Sequence, residues 1–123
     1  MAIMQSRDNR SYNSSGDLSA AQFKFVKLNG ADVVIAATLG ENCIGVCMNN
    51  PTAGTEATVC VTGKVMVKVG AATIAAGAQV GTDANALAIT SASGKRIMGY
   101  ATEAGAVGQI IAIELIQGGN LVA

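Results

Sequence analysis

The clearest pattern in the chain is an alternation of valine with other residues between Val59 and Val69. Valine occupies every second position there except one, which is Gly63, and threonine, cysteine, lysine and methionine occupy the positions between. A period of two is typical of a half-buried strand, whereas a helix would scatter these valines around its circumference. The pattern predicts one strand, or two strands bent at Gly63, with all the valines on one face.

Short apolar segments separated by glycines and other turn residues follow one another from Gln22 onward. A helical segment at 70–78 remains open, although Gly77 and the shortness of the stretch count against it. Strands recurring at about 8 to 12 residue spacing are typical of a sandwich or a barrel. The prediction is an all-β fold, a small Gly/Ala-rich β-barrel or sandwich with an extended N-terminal arm. The remaining predicted strands are 23–28 with a bulge near Phe25, 33–39, 44–48, a short strand after a turn at 74–81, 86–90, 96–101 and 109–116.

The first 21 residues are polar and follow neither a strand nor a helix period. Such a composition buries too little apolar surface to order itself, so we expect no regular structure there in solution. Two interpretations stay open: a disordered tail, or an arm that orders on a neighbouring subunit. The chain then divides into an arm (1–21), a β-barrel domain (22–117) and a short C-terminal tail (118–123). The candidate contact residues of the arm are Met1, Ile3, Met4, Arg7, Arg10 and Tyr12.

The composition predicts a hydrophobic core with few large side chains, which we call a thin core. The chain has 123 residues, of which 15 are glycine and only four are aromatic (two Tyr and two Phe, with no Trp). Large aromatic side chains usually dominate the energy of a core. Because half the residues are nevertheless hydrophobic, we expect subunits to cover one another.

Charge and residue types argue against several functions. Eight basic and eight acidic residues give no net charge, which speaks against nucleic acid as a partner. The chain lacks histidine, the commonest general base and zinc ligand. No apolar run reaches the roughly 18 residues of a membrane span, and no secretory signal is visible. We therefore expect a protein that is not an enzyme and has no cofactor, nucleic-acid partner or membrane partner.

The three cysteines, Cys43, Cys47 and Cys60, are an odd number in a chain without a visible signal. Free cysteine packs as a small hydrophobic residue, and this is the favoured interpretation. A zinc site would need a fourth ligand. A disulfide stays open, because spacing alone does not decide it.

Several segments, taken in their order and spacing, carry a resemblance that covers about three-quarters of the chain. They are Phe23-Lys24-Phe25-Val26-Lys27-Leu28, Gly45-Val46, Asn50-Pro51-Thr52-Ala53-Gly54, Val59-Cys60-Val61-Thr62-Gly63-Lys64-Val65, Ile74-Ala75-Ala76-Gly77-Ala78-Gln79-Val80, Gly99-Tyr100-Ala101, Gly105 and Ile110-Ile111-Ala112-Ile113-Glu114-Leu115. In these segments the chain resembles the small capsid cement, or head decoration, proteins of tailed bacteriophages. The polar arm before Gln22 departs from the shortest members of that family.

The resemblance implies a β-barrel-like subunit on the outer surface of the phage capsid. Such subunits commonly form trimers and bridge neighbouring major capsid protein subunits, so the implied partners are the major capsid protein and further copies of the chain. The alternative function is a phage tail or fibre-associated β module that binds a host glycan. Glycan sites favour exposed aromatic rings, for which Tyr12 and Tyr100 are the candidates. Nothing in the sequence favours a small enzyme.

Overall fold

The structure is a computed structural model that describes residues 5–116 and Val122. Within these residues the secondary structure consists of nine strands and contains no helix. The strands are β1 (Gln5–Asn13), β2 (Phe25–Asn29), β3 (Asp32–Ile35), β4 (Gly45–Cys47), β5 (Glu56–Lys68), β6 (Gln79–Thr82), β7 (Ala88–Thr90), β8 (Gly99–Ala101) and β9 (Ile110–Leu115).

All nine strands join in one antiparallel sheet in the order β3-β2-β4-β5-β9-β8-β6-β7, with β1 paired to β5. The sheet curls because its last strand reaches back to the end of β5. There Val69 forms a bridge with Ala88, and the amide of Gly70 donates to the Ala88 carbonyl at 2.8 Å. The result is a curled half-barrel, which confirms the predicted all-β fold class.

The alanine-rich stretch 70–78, for which a helix remained open, forms an extended segment and a turn. Ile74 forms a β-bridge with Gly105 in this stretch. Gly77 has φ of 81°, in the left-handed region that a right-handed helix does not use. The backbone is thus committed to a turn, and the helical alternative is wrong.

Strand β5 is a single strand, as the valine alternation predicted, but its valines do not share one core. Val59 and Val61 pack into one hydrophobic cluster, whereas Val65 and Val67 pack into another. The change occurs at Gly63, whose φ of 107° is open mainly to glycine, and the pairing of β1 with β5 shifts register beside it. The prediction of one shared face is therefore wrong, because a kink re-aims the side chains that follow it.

The two clusters lie against one continuous sheet. Neighbouring residues of the central strands belong to different clusters: in β2, for example, Phe25 belongs to the barrel core and Val26 to the outer core. We call the first cluster the barrel core; its buried members are Phe25, Ala36, Cys43, Val46, Cys60, Val65, Val67, Val69, Ile74, Val80, Ala86, Ala88, Met98, Ala101, Ile111, Ile113 and Leu115. We call the second the outer core; its buried members are Leu18, Ala21, Val26, Val33, Cys47, Ala57, Val59 and Val61.

The N-terminal segment pairs with the sheet although its side chains follow no strand period. Residues 5–13 form β1 along β5, and residues 14–21 then cross the outer core, where Leu18 is buried. Ser14 anchors this crossing, because its hydroxyl donates to the carbonyls of Thr52 and Thr55 at 2.8 and 2.9 Å. Strand pairing satisfies backbone groups whatever the side chains are, so a polar segment can join a sheet without an apolar period.

The division of the chain into arm, domain and tail remains a prediction about solution behaviour. Near the other terminus, Val122 exchanges two backbone hydrogen bonds of 2.9 Å with Gly94 and Lys95 in the turn before β8. Part of the predicted tail thus contacts the sheet as well.

The burial of β5 leads to the first prediction. Val67→Asp places an unpaired charge in the barrel core, where Val67 is fully buried, and should cost several kcal/mol of unfolding free energy. Val61→Asp, in the outer core, should also destabilise the fold strongly. Lys68→Glu changes the adjacent exposed residue and should leave the fold intact. Thermal melting and soluble yield of the three variants check this order; a Lys68 variant less stable than the Val67 variant would contradict the strand register.

Candidate interaction surface

Two turns of the half-barrel repeat the same backbone structure side by side. Residues 74–78 lead into β6 and residues 105–109 lead into β9, and each turn has an Ala-x-Gly sequence. The glycines Gly77 and Gly108 have φ of 81° and 83°. Ile74 and Gly105 join the two turns by reciprocal backbone hydrogen bonds of 2.9 Å. We call residues 74–78 and 105–109 together the turn pair.

The hydrogen bonds around the turn pair are also equivalent. The amide of Gly77 donates to the Ala101 carbonyl at the end of β8 (2.7 Å), and that of Gly108 donates to the Val69 carbonyl just after β5 (3.1 Å). The amide of Ala101 donates back to the Ala78 carbonyl of the same turn at 2.9 Å, and the amide of Val69 donates back to the Gln109 carbonyl at 2.8 Å. Each turn is therefore fixed to one strand end by a reciprocal pair of hydrogen bonds and to the other turn through Ile74 and Gly105.

The surface of the turn pair is apolar and almost free of charge. No charged residue occurs in 69–82 or in 104–113, and most of 71–77 and 104–110 is exposed. The exposed fraction is 60% for Val107 and 44% for Ile110. Exposed apolar patches on a soluble protein often mark interaction sites, and we call this one the apolar turn surface.

A second exposed feature is a row of side chains across the sheet next to the turns. Tyr100 of β8 lies opposite Gln79 of β6 on one side and opposite Glu114 of β9 on the other, and Glu114 lies opposite Lys64 of β5. Tyr100 is 39% exposed. The row combines an aromatic ring with polar and charged groups, a composition suited to contact with either a protein or a sugar ring.

The structure separates the predicted contact residues of the arm. Met1, Ile3 and Met4 lie outside the described residues, and Arg7 lies in β1. Arg10 is exposed opposite Val59. Tyr12 is partly buried against the outer core, opposite Ala57, so its ring is less available for stacking than that of Tyr100.

Glu41 organises the loop between β3 and β4. Its carboxylate accepts hydrogen bonds of 2.7 Å from the amides of both Ala37 and Thr38, and it pairs with the Lys27 ammonium at 2.9 Å. Partial burial raises the pKa of Glu41, but the hydrogen bonds from Lys27 and the two amides outweigh it and leave the pKa below its ordinary value. Beside this loop lies an open pocket of about 280 Å³ lined by Lys27, Leu28, Asn42, Cys43 and Ile44.

The cysteines are free and buried. Burial raises the pKa of the Cys43 thiol to about 12 and also raises the pKa of the Cys47 thiol. A thiol of this kind stays protonated at neutral pH, and only the thiolate is a good nucleophile or metal ligand. Across the part of the chain that the structure describes, no group of three or more Cys, Asp and Glu side chains is arranged to hold a metal ion.

Residues 9–115 match a family model described as phage cement protein. The chain belongs to the phage cement protein family. This confirms the resemblance derived from the sequence and assigns to the chain a structural, capsid-associated role in a phage virion. No curated protein matches the sequence.

Among solved structures, the chain is similar to the N base of the head fiber gp8.5 in bacteriophage phi29. The TM-score is 0.67 at 16% sequence identity, and the match covers 89% of this chain and 93% of the other. At this identity the likeness shows a shared fold. In residues 5–116, no helix is long and apolar enough to span a membrane.

Sequence reasoning predicted a turn at 74–81 but missed its pairing with the turn at 105–109, and it missed the role of Glu41. The repeated Ala-x-Gly before an apolar segment is a signal for the turns, but in a chain this rich in alanine and glycine it does not stand out. Glu41 gave no local signal, because its partners are backbone amides and a lysine on another strand.

The equivalence of the two turns predicts equal effects of equivalent substitutions. An added Cβ at Gly77 or Gly108 would meet no atom within 4 Å, so Gly77→Ala and Gly108→Ala should act only through the left-handed backbone. Each should cost about 1 to 2 kcal/mol of unfolding free energy. Gly16→Ala, also in open space but without a left-handed φ, is the control. Denaturant unfolding of the three variants measures this, and a large cost at only one turn would show that the turns are not equivalent.

The lowered pKa of Glu41 predicts a pH-dependent contribution to stability. A carboxyl group whose pKa is lower in the folded protein stabilises the fold above its unfolded pKa, ordinarily 4.5, and this contribution is lost as pH falls through the folded value. Glu41→Gln should therefore melt below the unmodified protein at pH 7, and the gap should shrink at pH 3. Glu114→Gln, changed at an exposed position of β9, corrects for the loss of one negative charge. A gap of equal size at both pH values would contradict the role given to the Glu41 carboxylate.

Proposed function

We propose that this protein is a capsid cement protein that binds the outer surface of the phage head, bridges neighbouring major capsid protein subunits and thereby stabilises the shell. The observation that carries the proposal is the family match over residues 9–115, which extends from within β1 to the end of β9. The matched region includes both hydrophobic cores. The proposal therefore concerns the whole described sheet.

A cement protein works by linkage. It binds the assembled shell better than dissociated subunits, so its binding free energy shifts the equilibrium toward the intact shell. Each contact can be modest, because many copies act on parts that are already held together. A rigid subunit is favoured for this task, since a preformed surface has little conformational freedom to lose on binding.

The apolar turn surface is the proposed site of contact with the capsid. It combines exposed large apolar residues, Val107 and Ile110, with a lack of charge, and depletion of charge is typical of the centre of protein interfaces. Each of its turns is held to a strand end by a reciprocal pair of hydrogen bonds. The arm residues Met1, Ile3, Met4, Arg7, Arg10 and Tyr12 are a second proposed contact.

A homotrimer is the proposed assembly on the shell. The twelve largest fully buried side chains comprise one phenylalanine, three isoleucines and eight valines, so the subunit core is built from medium-sized residues. A subunit with such a core gains stability when copies cover one another.

The alternative function, a fibre-associated module that binds a host glycan, has two observations in its favour. The phi29 protein of similar fold is the base of a head fiber, and Tyr100 presents an exposed ring beside Gln79 and Glu114. Tyr100→Ala should abolish binding on a host glycan array if this function is correct, and it should leave capsid occupancy unchanged.

The cement function predicts a specific loss of capsid binding. In co-sedimentation with undecorated capsids, Val107→Lys should lower occupancy several-fold and reduce the heat resistance of the particles, because a charge enters the apolar turn surface. Leu28→Lys makes the same change at another exposed apolar residue, 50% exposed on β2, and should bind normally. Equal binding of the Val107 variant and the unmodified protein would exclude the turns as the contact.

The co-sedimentation assay also tests the arm. A chain lacking residues 1–4 keeps all of β1 and should bind more weakly if the arm contacts the capsid.

Mass spectrometry of purified virions distinguishes the two functions by the copy number. Hundreds of copies per particle fit a cement protein, and a few to a few dozen fit a tail or fibre component.

A further inference from the structure

The chain contains one Asn-Gly sequence, Asn29-Gly30, and it lies at the tip of the hairpin formed by β2 and β3. Asn29 pairs with Asp32 across the hairpin, and the residues of the tip are exposed. The Asn29 side-chain amide donates to the hydroxyl of Ser15 at 3.3 Å, a long and therefore weak hydrogen bond. This contact links the hairpin tip to the segment 14–21 that covers the outer core.

We propose that Asn29 is a site of spontaneous modification, at which the side-chain amide becomes a carboxylate through a cyclic imide. The backbone nitrogen of Gly30 attacks Cγ of Asn29 and loses its proton. The new C–N bond closes a five-membered succinimide ring, while the Cγ–Nδ2 bond breaks and the nitrogen leaves as ammonia. Water then opens the ring. Opening at Cγ gives aspartate, opening at the main-chain carbonyl carbon gives isoaspartate, and neither step needs an oxidant or a reductant.

The hairpin tip offers the nucleophile an open approach. Gly30 has no side chain to hinder attack, and a Cβ built there would meet no atom within 4 Å. The pair Asn29–Asp32 is the last of its ladder, and the ends of ladders open locally at low cost. Such opening releases Asn29 from Asp32 and Ser15 and lets Cγ reach the Gly30 nitrogen.

Other asparagines of the described chain lack this combination. Asn50 precedes Pro51, whose nitrogen carries no proton and cannot form the imide. Asn49 is partly buried and held at both ends of its amide, since it donates to the Glu56 carbonyl at 3.1 Å and accepts from the Thr58 amide at 3.0 Å. The exposed residues Asn9, Asn13, Asn42 and Asn85 each precede a residue with a side chain. Asn29 should therefore react first.

The modification should loosen the cover of the outer core. A carboxylate at position 29 lies opposite Asp32, and like charges directly across a hairpin destabilise it. It also removes the donor to Ser15, whose own amide donates to the Val33 carbonyl at 3.0 Å. Isoaspartate adds a backbone atom at a hairpin tip whose turn sets the register that places Val33 in the outer core.

The test is incubation of the intact, folded protein at 37 °C and mildly alkaline pH, followed by peptide mapping with mass spectrometry that distinguishes aspartate from isoaspartate. Asn29 should convert several-fold faster than Asn13, Asn42 and Asn85 in the same sample, and both products should appear. Conversion at Asn29 no faster than at those three residues would overturn the proposal. Asn29→Gln disfavours the five-membered ring and should remove the early conversion without changing the other sites.

Thermal melting tests separately whether the modification destabilises the fold. Asn29→Asp represents the normal product and should melt below the unmodified protein at pH 7. Asn29→Gln should keep its melting temperature throughout the incubation. An Asn29→Asp variant that melts like the unmodified protein at pH 7 would overturn the proposed loosening.

Discussion

The fold depends on the continuous pairing of β5 through Gly63. This strand pairs with β1, β4 and β9 and supplies buried side chains to both hydrophobic cores. A straight strand would keep every second residue on one side of the sheet. The left-handed backbone of Gly63 allows Val61 to pack in the outer core and Val65 in the barrel core. One glycine thus lets the valines of a single strand contribute to both cores.

Burial on both faces explains how a chain with four aromatic residues holds together. The central strands bury adjacent residues, Phe25 with Val26 in β2 and Val46 with Cys47 in β4, so both faces of the sheet contribute buried apolar area. The outer core requires a cover, and the segment 14–21 supplies it through Leu18 and Ala21. The N-terminal segment is therefore part of the fold as well as a proposed contact with the capsid.

The sequence pattern predicted the fold class and most of the strands, because these depend on residues close together in the chain. Period two marked β5, and glycine-separated apolar segments indicated an all-β fold with most of its strands near the right places. The side-chain pattern did not predict β1, because the partners of β1 are the backbone groups of β5. It also did not place Val59 and Val65 in different cores, because the kink between them depends on the conformation of Gly63. The role of Glu41 was not predicted for a similar reason. Its amide partners lie on its own loop, but its ion-pair partner Lys27 lies on β2, far from it in sequence.

The turn pair links the architecture to the proposed function. Its hydrogen bonds to the ends of β5 and β8 hold an uncharged, exposed surface in place before any partner arrives. Exposing Val107 and Ile110 forgoes the hydrophobic stabilisation that their burial in the subunit would give, and that free energy is regained only when another surface covers them. On a shell that presents the same site many times, a small gain at each copy adds to a large one for the particle. A thin core and an apolar surface are thus compatible in a subunit that, as proposed, completes its burial on the capsid.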